Sequence, residues 1–403
     1  MTLFGGASFM HTDAQIRADQ ATSRDSVAAV VAAGNRFAFD LYSRERHGAG
    51  NLFFSPASIS VALAMGYVGA AGNTAAEMAQ TLHLDMPKEQ LNREMRTLLA
   101  WWRRYDSEQR LRLKMANRLW GQEGFAFLPE YLRVTRDDYG AELAQLDFRR
   151  TEAARETINN WVAQQTGDKI RNLVASPDML LDANLVLTNA AYFQGAWTAK
   201  FQESLTAEQD FHVTADQRVK IPLMRQTDRF RYAAVDGLQL IELPYRYSSL
   251  SMIVLLPDRP EGLSELEARL TATSLQKWIQ AAGTATVEVF LPKFKLTALI
   301  SLADTLAAMG MPSAFDRRTA DFSGMTGSKE LFFFDAIHKA FVDVDEKGTE
   351  AAAATVGFCL AATFLEPITQ PPVFRADHPF VFLICDNRIG AILFLGRVVD
   401  PTQ

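Results

Sequence analysis

Residues 345–367 read Asp345-Glu346-Lys347-Gly348-Thr349-Glu350-Ala351-Ala352-Ala353-Ala354-Thr355-Val356-Gly357-Phe358-Cys359-Leu360-Ala361-Ala362-Thr363-Phe364-Leu365-Glu366-Pro367. They lie between a strand-like apolar run and a C-terminal hairpin pattern. A loop of this length without structure of its own is uncommon and usually functional. Every second residue from Thr349 (Thr349, Ala351, Ala353, Thr355, Gly357, Cys359, Ala361) is small and uncharged. Alternate residues of an extended chain face opposite sides, so this set could slide over a packed core without steric or desolvation cost. No proline occurs between Thr349 and Glu366, so every N–H there could join a sheet ladder. On its own the stretch reads either as a loop able to become a strand or as an Ala-rich helix or linker, because residues 351–354 also favour helix.

Working outward, residues 331–334 and 336–344 form short apolar runs on the N-terminal side. On the other side, residues 380–385 and 391–395 flank Asp386-Asn387-Arg388-Ile389-Gly390 as a hairpin. Both runs are apolar at successive positions, so both faces should be buried. Residues 184–193, 250–256 and 286–291 read as further strands. The first half is helical instead. From Ser26 onward Val30, Val31, Phe37, Ala38 and Leu41 share a helical face. Residues 51–56 break that helix, and residues 58–69 form a second, almost wholly apolar and therefore buried one. Thr74 and Glu77 have capping-box spacing and predict a helix start there, running toward Leu84. Residues 91–102 look amphipathic. Residues 157–165 predict a helix with Ile158, Trp161 and Val162 inward and Gly167 as its stop. Residues 1–25 are polar and aperiodic, a loose tail. With no repeat and no Gly/Ser/Pro linker, the helical and strand-rich parts should pack as one α+β unit.

Composition narrows the function. The chain has 403 residues, 48% of them hydrophobic, and a formal net charge of −6. That excludes disorder for the bulk of the chain and argues against a dedicated nucleic-acid binder. No run of apolar residues is long enough for a membrane span. Two cysteines, Cys359 and Cys385, exclude a disulfide framework and a Cys-rich zinc site. Residues 1–20 carry His11, Asp13, Arg17 and Asp19 and lack the long apolar run of a signal peptide. There is no His-Glu-x-x-His, Gly-x-Ser-x-Gly or P-loop sequence. A Cys359–His338 catalytic pair is conceivable, but a nucleophile on a mobile loop is poorly oriented.

Several separated stretches together resemble the serpin family, over the chain from about residue 26 to its end. Asn51-Leu52-Phe53-Phe54-Ser55-Pro56-Ala57-Ser58-Ile59 resembles the start of that family's second helix. Thr188-Asn189-Ala190-Ala191-Tyr192-Phe193-Gln194-Gly195-Ala196-Trp197 resembles the central-sheet strand bordering the insertion gap, and His338-Lys339-Ala340 the strand across it. Residues 345–354 resemble the hinge of the reactive loop. His378-Pro379-Phe380-Val381-Phe382 and Phe394-Leu395-Gly396-Arg397-Val398 resemble the closing strands.

The resemblance implies an α+β fold: one domain over residues 26–403, with helices packed on a large central mixed sheet, smaller sheets, and an exposed reactive-centre loop over about residues 346–372. It implies a protease inhibitor, not an enzyme. The loop is offered as a suicide substrate, and after cleavage it adds itself to the sheet as a strand, a known form of strand addition. The partner is a serine protease held as a covalent acyl complex, with no nucleic acid, membrane or cofactor. The protein should be a monomer that can form loop–sheet polymers, and family resemblance makes it extracellular. The hinge maps to Gly348, Thr349, Glu350, Ala351, Ala352, Ala353 and Ala354. A polar cluster under the sheet maps to Ser55, Ser58, Asn189 and His338, and the top of the sheet to Trp197, Lys293 and Glu346, the last two as an ion pair. Counted from the hinge glycine, the reactive bond is Ala362–Thr363. Counted back from Pro379 it lies nearer Ile368–Thr369, and Leu360, Phe364 and Leu365 stay open. No Lys or Arg lies between Gly348 and Arg375, so trypsin-like proteases, which need a cation in their pocket, should be poor targets. Elastase-, subtilisin- or chymotrypsin-like proteases suit this loop better. Cys359 reads as a small apolar residue, with a redox-sensitive thiol as the alternative. Arg93, Arg96, Arg103 and Arg104 read as a solvated helix face diluted by acids rather than a polyanion patch.

Overall fold

The computed structural model describes residues 25–105, 111–349 and 370–403. Helix α1 (Ala28–Glu45) buries Val30, Val31, Phe37, Ala38 and Leu41, the face their spacing predicts. Residues 51–56 do more than break it. They form strand β1 (Leu52–Phe54), then α2 (Pro56–Gly69), whose N-cap hydroxyl on Ser55 accepts from the Ser58 N–H at 3.2 Å. Twelve of the fourteen α2 residues are buried, which is why its sequence is apolar on every side.

Helix α3 (Gly72–Thr81) begins ahead of the expected capping box. Thr74 instead accepts from the Asp321 N–H at 2.9 Å, and Glu77 accepts from the Ser313 N–H at 2.9 Å. Both side chains bind a distant segment, so their spacing misplaced the helix start. Helix α4 (Lys88–Tyr105) leads into the long strand β2 (Leu111–Gln122), which sequence patterning did not show. Helix α5 (Pro129–Val134) continues as a π turn over Thr135–Tyr139, and strand β3 (Ala144–Leu146) follows. Helix α6 (Thr151–Gln165) starts six residues before its expected bound. Ile158 and Val162 are buried in it, whereas Trp161 is half-buried, edge-on to Trp120 at 5.6 Å. Gly167, at φ +58, lies just beyond the helix end.

The strand-rich part comprises β4 (Leu185–Ala196), β5 (Ala207–His212), β6 (Arg218–Val235), β7 (Leu238–Pro244), β8 (Leu250–Pro257), β9 (Gly283–Pro292), β10 (Phe294–Ser301), β11 (Asp335–Asp345), β12 (Gly348–Thr349), β13 (Val373–Arg375), β14 (Phe380–Asp386) and β15 (Ala391–Val398). Helices α7 (Leu263–Arg269), α8 (Ala272–Ala281), α9 (Ala303–Met309) and α10 (Ser323–Thr326) are interspersed. Residues 331–334, expected as a strand, are irregular. Leu331 and Phe333 are apolar because they fill the core: the Phe333 ring lies where a Cβ on Gly66 would be only 2.4 Å away.

Two sheets result. One has nine strands, in the order β1-β15-β14-β8-β7-β6-β9-β13 with β5 on β6, and holds the fully buried C-terminal hairpin. The other has the order β10-β11-β12-β4-β2-β3 and is mixed, because β11 runs parallel to β4 and β3 parallel to β2, while β2 is antiparallel to β4 and β10 antiparallel to β11. The centre of the mixed sheet is covered on both faces, whereas the edge strand β10 turns Lys295, Thr297, Leu299 and Ser301 to solvent. The sheet's inner face joins the main core through Leu185, Leu187, Phe193, Val342 and Val344. Its outer face is covered by α6 through Ile158 and Val162 against Val186, Ala190, Tyr192 and Ile337.

Candidate functional site: a seam in the mixed sheet

Strands β4 and β11 meet along a seam with two different halves. Lower down they pair directly, in seven registered pairs from Asp335↔Val186 to Phe341↔Tyr192. Higher up they part, and β12 fills the space. Gly348 pairs with Asp345 on one side and Ala196 on the other, and Thr349 with Val344 and Gly195. Both pairings are antiparallel. The first two expected hinge residues thus already form a strand between β11 and β4.

The top of the seam is tied down by three expected residues. The Lys293 ammonium donates to the Glu346 carboxylate at 2.9 Å, the ion pair expected from sequence, and the Thr206 hydroxyl donates to the other Glu346 oxygen at 2.8 Å. Burial alone would raise Glu346; Lys293 and Thr206 outweigh it and hold the carboxyl below its usual range. Asp345 goes the other way, raised chiefly by burial although its carboxylate accepts the Lys347 and Gly348 N–H groups. Trp197 donates its backbone N–H to Lys347 O at 3.1 Å and its indole N–H to Asp345 O at 2.9 Å, and the Phe201 N–H donates to Glu346 O at 3.1 Å. The Trp197 ring stacks on Tyr245 at 4.7 Å, and the Tyr245 and Thr349 hydroxyls are hydrogen-bonded at 2.7 Å.

Position 348 requires glycine. Its φ is +150, and an added Cβ would stand 2.1 Å from Gly195 O and 2.6 Å from Ala196 Cα. Thr349 beside it is fully buried and faces the core.

Under the lower half lies the polar cluster. Ser55, Ser58 and His338 are fully buried and Asn189 nearly so. The Ser55 N–H donates to His338 Nε2 at 3.1 Å, so the proton sits on Nδ1, which donates to Asn189 Oδ1. Burial drives the His338 pKa down to about 3, which keeps the ring neutral. The Asn189 amide donates to Ser58 Oγ at 2.7 Å and to Asn117 Oδ1, and the Ser58 hydroxyl donates to Asn117 Oδ1 at 3.1 Å. Asn117, Asn189 and His338 are cross-strand neighbours on β2, β4 and β11, so one row of neutral hydrogen bonds crosses the sheet. The Ser55 hydroxyl extends it to Leu393 O at 2.7 Å on β15.

Asn117, Tyr245 and Thr206 were not expected here. Tyr245 ends an apolar run, an ordinary core position. Asn117 shows itself only once β2 and β4 are in register. Glu350, Ala351, Ala352, Ala353 and Ala354, the bond Ala362–Thr363, its alternatives Leu360, Phe364, Leu365 and Ile368, and Cys359 lie outside the described residues. Arg96 and Arg103 turn toward the π turn: Arg96 pairs with buried Asp138, and Arg103 donates to Tyr139 O at 3.1 Å.

The site is thus a mixed sheet with a two-residue strand wedged into one seam. A family model for serpins, serine protease inhibitors, matches residues 32–401. The leukocyte elastase inhibitor of Homo sapiens is 42% identical over 383 residues, covering 92% of this chain and 98% of that one. The leukocyte elastase inhibitor of Xenopus laevis is 40% identical over 374 residues, covering 91% and 97%. Among solved structures, Serpin48, a highly specific serpin of the insect Tenebrio molitor, superposes with TM-score 0.81 at 30% identity, covering 93% of this chain and 98% of that one. The chain belongs to the serpin family and is a protease inhibitor rather than an enzyme. The extracellular placement expected from the family resemblance gains no support from these relatives.

Proposed function

We propose that this serpin inhibits elastase-, subtilisin- or chymotrypsin-like serine proteases as a suicide substrate. The observation that carries the reading is β12, two residues of a strand already seated between β11 and β4. The protease serine attacks the Ala362 carbonyl, the amine of Thr363 leaves with a proton, and an acyl-enzyme remains. Residues behind Thr349 then extend β12 down the seam. This breaks the parallel β4–β11 ladder and makes two antiparallel ladders, since β12 is antiparallel to both neighbours. The exchange is favourable. One ladder is gained, each hydrogen bond contributes about 1 kcal/mol net, and antiparallel pairing is somewhat stronger. The uncut state is therefore held by a barrier rather than by an equilibrium.

Side-chain alternation supports the hinge assignment. Thr349 faces the core, so an extended continuation puts Ala351, Ala353, Thr355, Gly357, Cys359 and Ala361 on that same side. All are small, and Cys359 needs no further role. Ser55, Ser58, Asn189 and His338 hold the lower seam with neutral bonds that can change partners. Trp197, Lys293 and Glu346 hold the top. The protein works as a monomer, and an uncut loop entering another molecule's seam would make polymers. The elastase-inhibitor relatives and the absence of Lys and Arg between Gly348 and Arg375 favour pockets for small or apolar residues.

The test is brief incubation with neutrophil elastase, chymotrypsin and subtilisin, followed by a denaturing gel and mass spectrometry of the released peptide. A boil-resistant band at the summed mass less that peptide is expected, with the peptide beginning at Thr363. Cleavage by all three without such a band would overturn the inhibitory reading.

A further inference from the structure

We infer that His378 is a buried imidazolium whose second proton clamps β13, so that this strand is docked in acid and neutral solution and comes loose as the solution turns alkaline. The residue is only 7% exposed and lies between two acceptors. Its Nδ1 donates to the Asp377 carboxylate at 2.9 Å, and its Nε2 donates to the Pro257 carbonyl at 2.8 Å. A carbonyl oxygen has no proton to give, and an ionised carboxylate has none either. Both ring nitrogens must therefore carry hydrogen. His338 is the contrast: the Ser55 N–H points at one of its nitrogens, so that ring is neutral.

Asp377 is ionised. Burial would raise it, but the bonds from His378 and Arg375 outweigh burial and hold the carboxyl below its usual range. Arg375 Nε donates to the second Asp377 oxygen at 2.8 Å. The other charged groups nearby leave this balance in place. Asp258 follows Pro257 directly at the end of β8 and adds negative charge. From β5, His212 gives only its backbone N–H, to Asp377 O at 2.8 Å, and Asp210 is paired with Lys220 of β6. On β9, Glu288 is paired with Arg225, and the Phe290 ring lies under Arg375 at 4.5 Å. Strand β14 begins apolar at Phe380.

The clamp holds a strand that has little else. Among the described residues β13 pairs only with β9, through three registered pairs. Asp377 joins Arg375 of β13 to His378, and His378 reaches β8. When the ring loses one proton, a lone pair faces either the carboxylate or the carbonyl inside the fold, and a bond becomes a repulsion. The docked form thus keeps a proton that a freed imidazole gives up near pH 6.5. The sign follows. Above that pH, raising it favours undocking, by up to about tenfold per unit; below it, both forms are protonated and docking does not change. On the inhibitory reading proposed above, β13 is the far anchor of the bait loop, so presentation of the bait follows this proton. The clamp itself does not depend on that reading.

Trypsin reads the docking, because no Lys or Arg lies between Gly348 and Arg375, and the Ala376 N–H beyond the cut is bonded to Phe290 O. Nicking tracks the population of the open form when opening is fast. Nicking after Arg375 in the full chain is divided, at each pH, by nicking of a synthetic peptide of residues 370–382. The quotient should rise about tenfold from pH 6.5 to 8.5 in the parent and stay flat in His378→Gln. In Asp377→Asn the rise should shrink to about threefold or less, because an imidazolium beside an amide gives up its proton about one unit sooner. In 15N spectra of histidine-labelled protein at pH 7, the ring whose signals vanish in His378→Gln should have both nitrogens protonated. A neutral His378 at pH 7, a flat quotient in the parent, or an equal rise in His378→Gln would overturn the clamp. Should His378→Gln not fold, the parent and Asp377→Asn quotients decide. No readout requires inhibition of a target, so failure of the inhibitory mechanism would be visible separately.

Discussion

The two halves of the β4–β11 seam are held by different chemistry. The lower half is closed by the parallel β4–β11 ladder over a row of side chains: a neutral imidazole, two carboxamides and two hydroxyls, all buried except the half-buried Asn117. The upper half is closed by the hinge backbone itself, whose carbonyls at 345, 346 and 347 are gripped by Trp197 and Phe201, reinforced by an ion pair and an aromatic stack. Neutral bonds inside a core can be exchanged one for another without stranding a charge, whereas losing one member of a charged pair leaves its partner uncompensated. The lower half is therefore suited to opening, and the upper half to keeping the hinge in place until it is needed.

The sharpest way to break this division is at Gly348. Gly348→Val puts a Cβ into Gly195 O at a positive φ, costing about 3 kcal/mol or more. Covalent complex formation should be lost and the loop cut as a simple substrate; an unchanged stoichiometry of inhibition would contradict the wedge. Next comes Glu346→Lys, which faces Lys293 with a like charge. Lys293 is about a third exposed, so screening limits the cost to about 2 kcal/mol, enough to open the top and give polymers. A variant that stays monomeric on native gels after warming would refute this.

Acid should attack the lower half. The unfolded imidazole takes up a proton near pH 6.5, whereas buried His338 does so only near 3. Between those values the unfolded state binds more protons, so stability falls as pH falls, by up to about 1.4 kcal/mol per unit. Glu346, with its lowered pKa, loses its contribution only in more acidic solution. Urea midpoints from pH 7 to 5 should decline in the parent and flatten in His338→Gln; parallel slopes would remove His338 from the account. The smallest effect belongs to Tyr245→Phe, which strands the buried Thr349 hydroxyl at about 1 kcal/mol, read as a slightly lower unfolding midpoint.

Much of this is legible in the sequence. The all-apolar α2 and the buried hairpin each follow from burial on every side. His338 and Asn189 were found by likeness to a family, not by pattern, since a polar residue in a strand looks like a surface residue. Asn117 escaped both routes because its partners come from α2 and β4, distant in sequence. Thr74 and Glu77 misled for a related reason: their hydrogen bonds go to residues 313 and 321, not to their own helix end. Spacing reports local partners well and tertiary partners not at all.

The seating of β12 bears on a race. In the proposed mechanism, water competes after acylation with strand growth for the fate of the ester. Enzyme turnover commonly takes milliseconds to a second, while pairing of a new hairpin takes about 1–10 μs. With two residues already in register, growth begins as elongation from a primer rather than as a search for the first contact. The clock that matters is then how quickly the lower seam parts, and the composition of that row of neutral groups becomes the setting of the trap's speed.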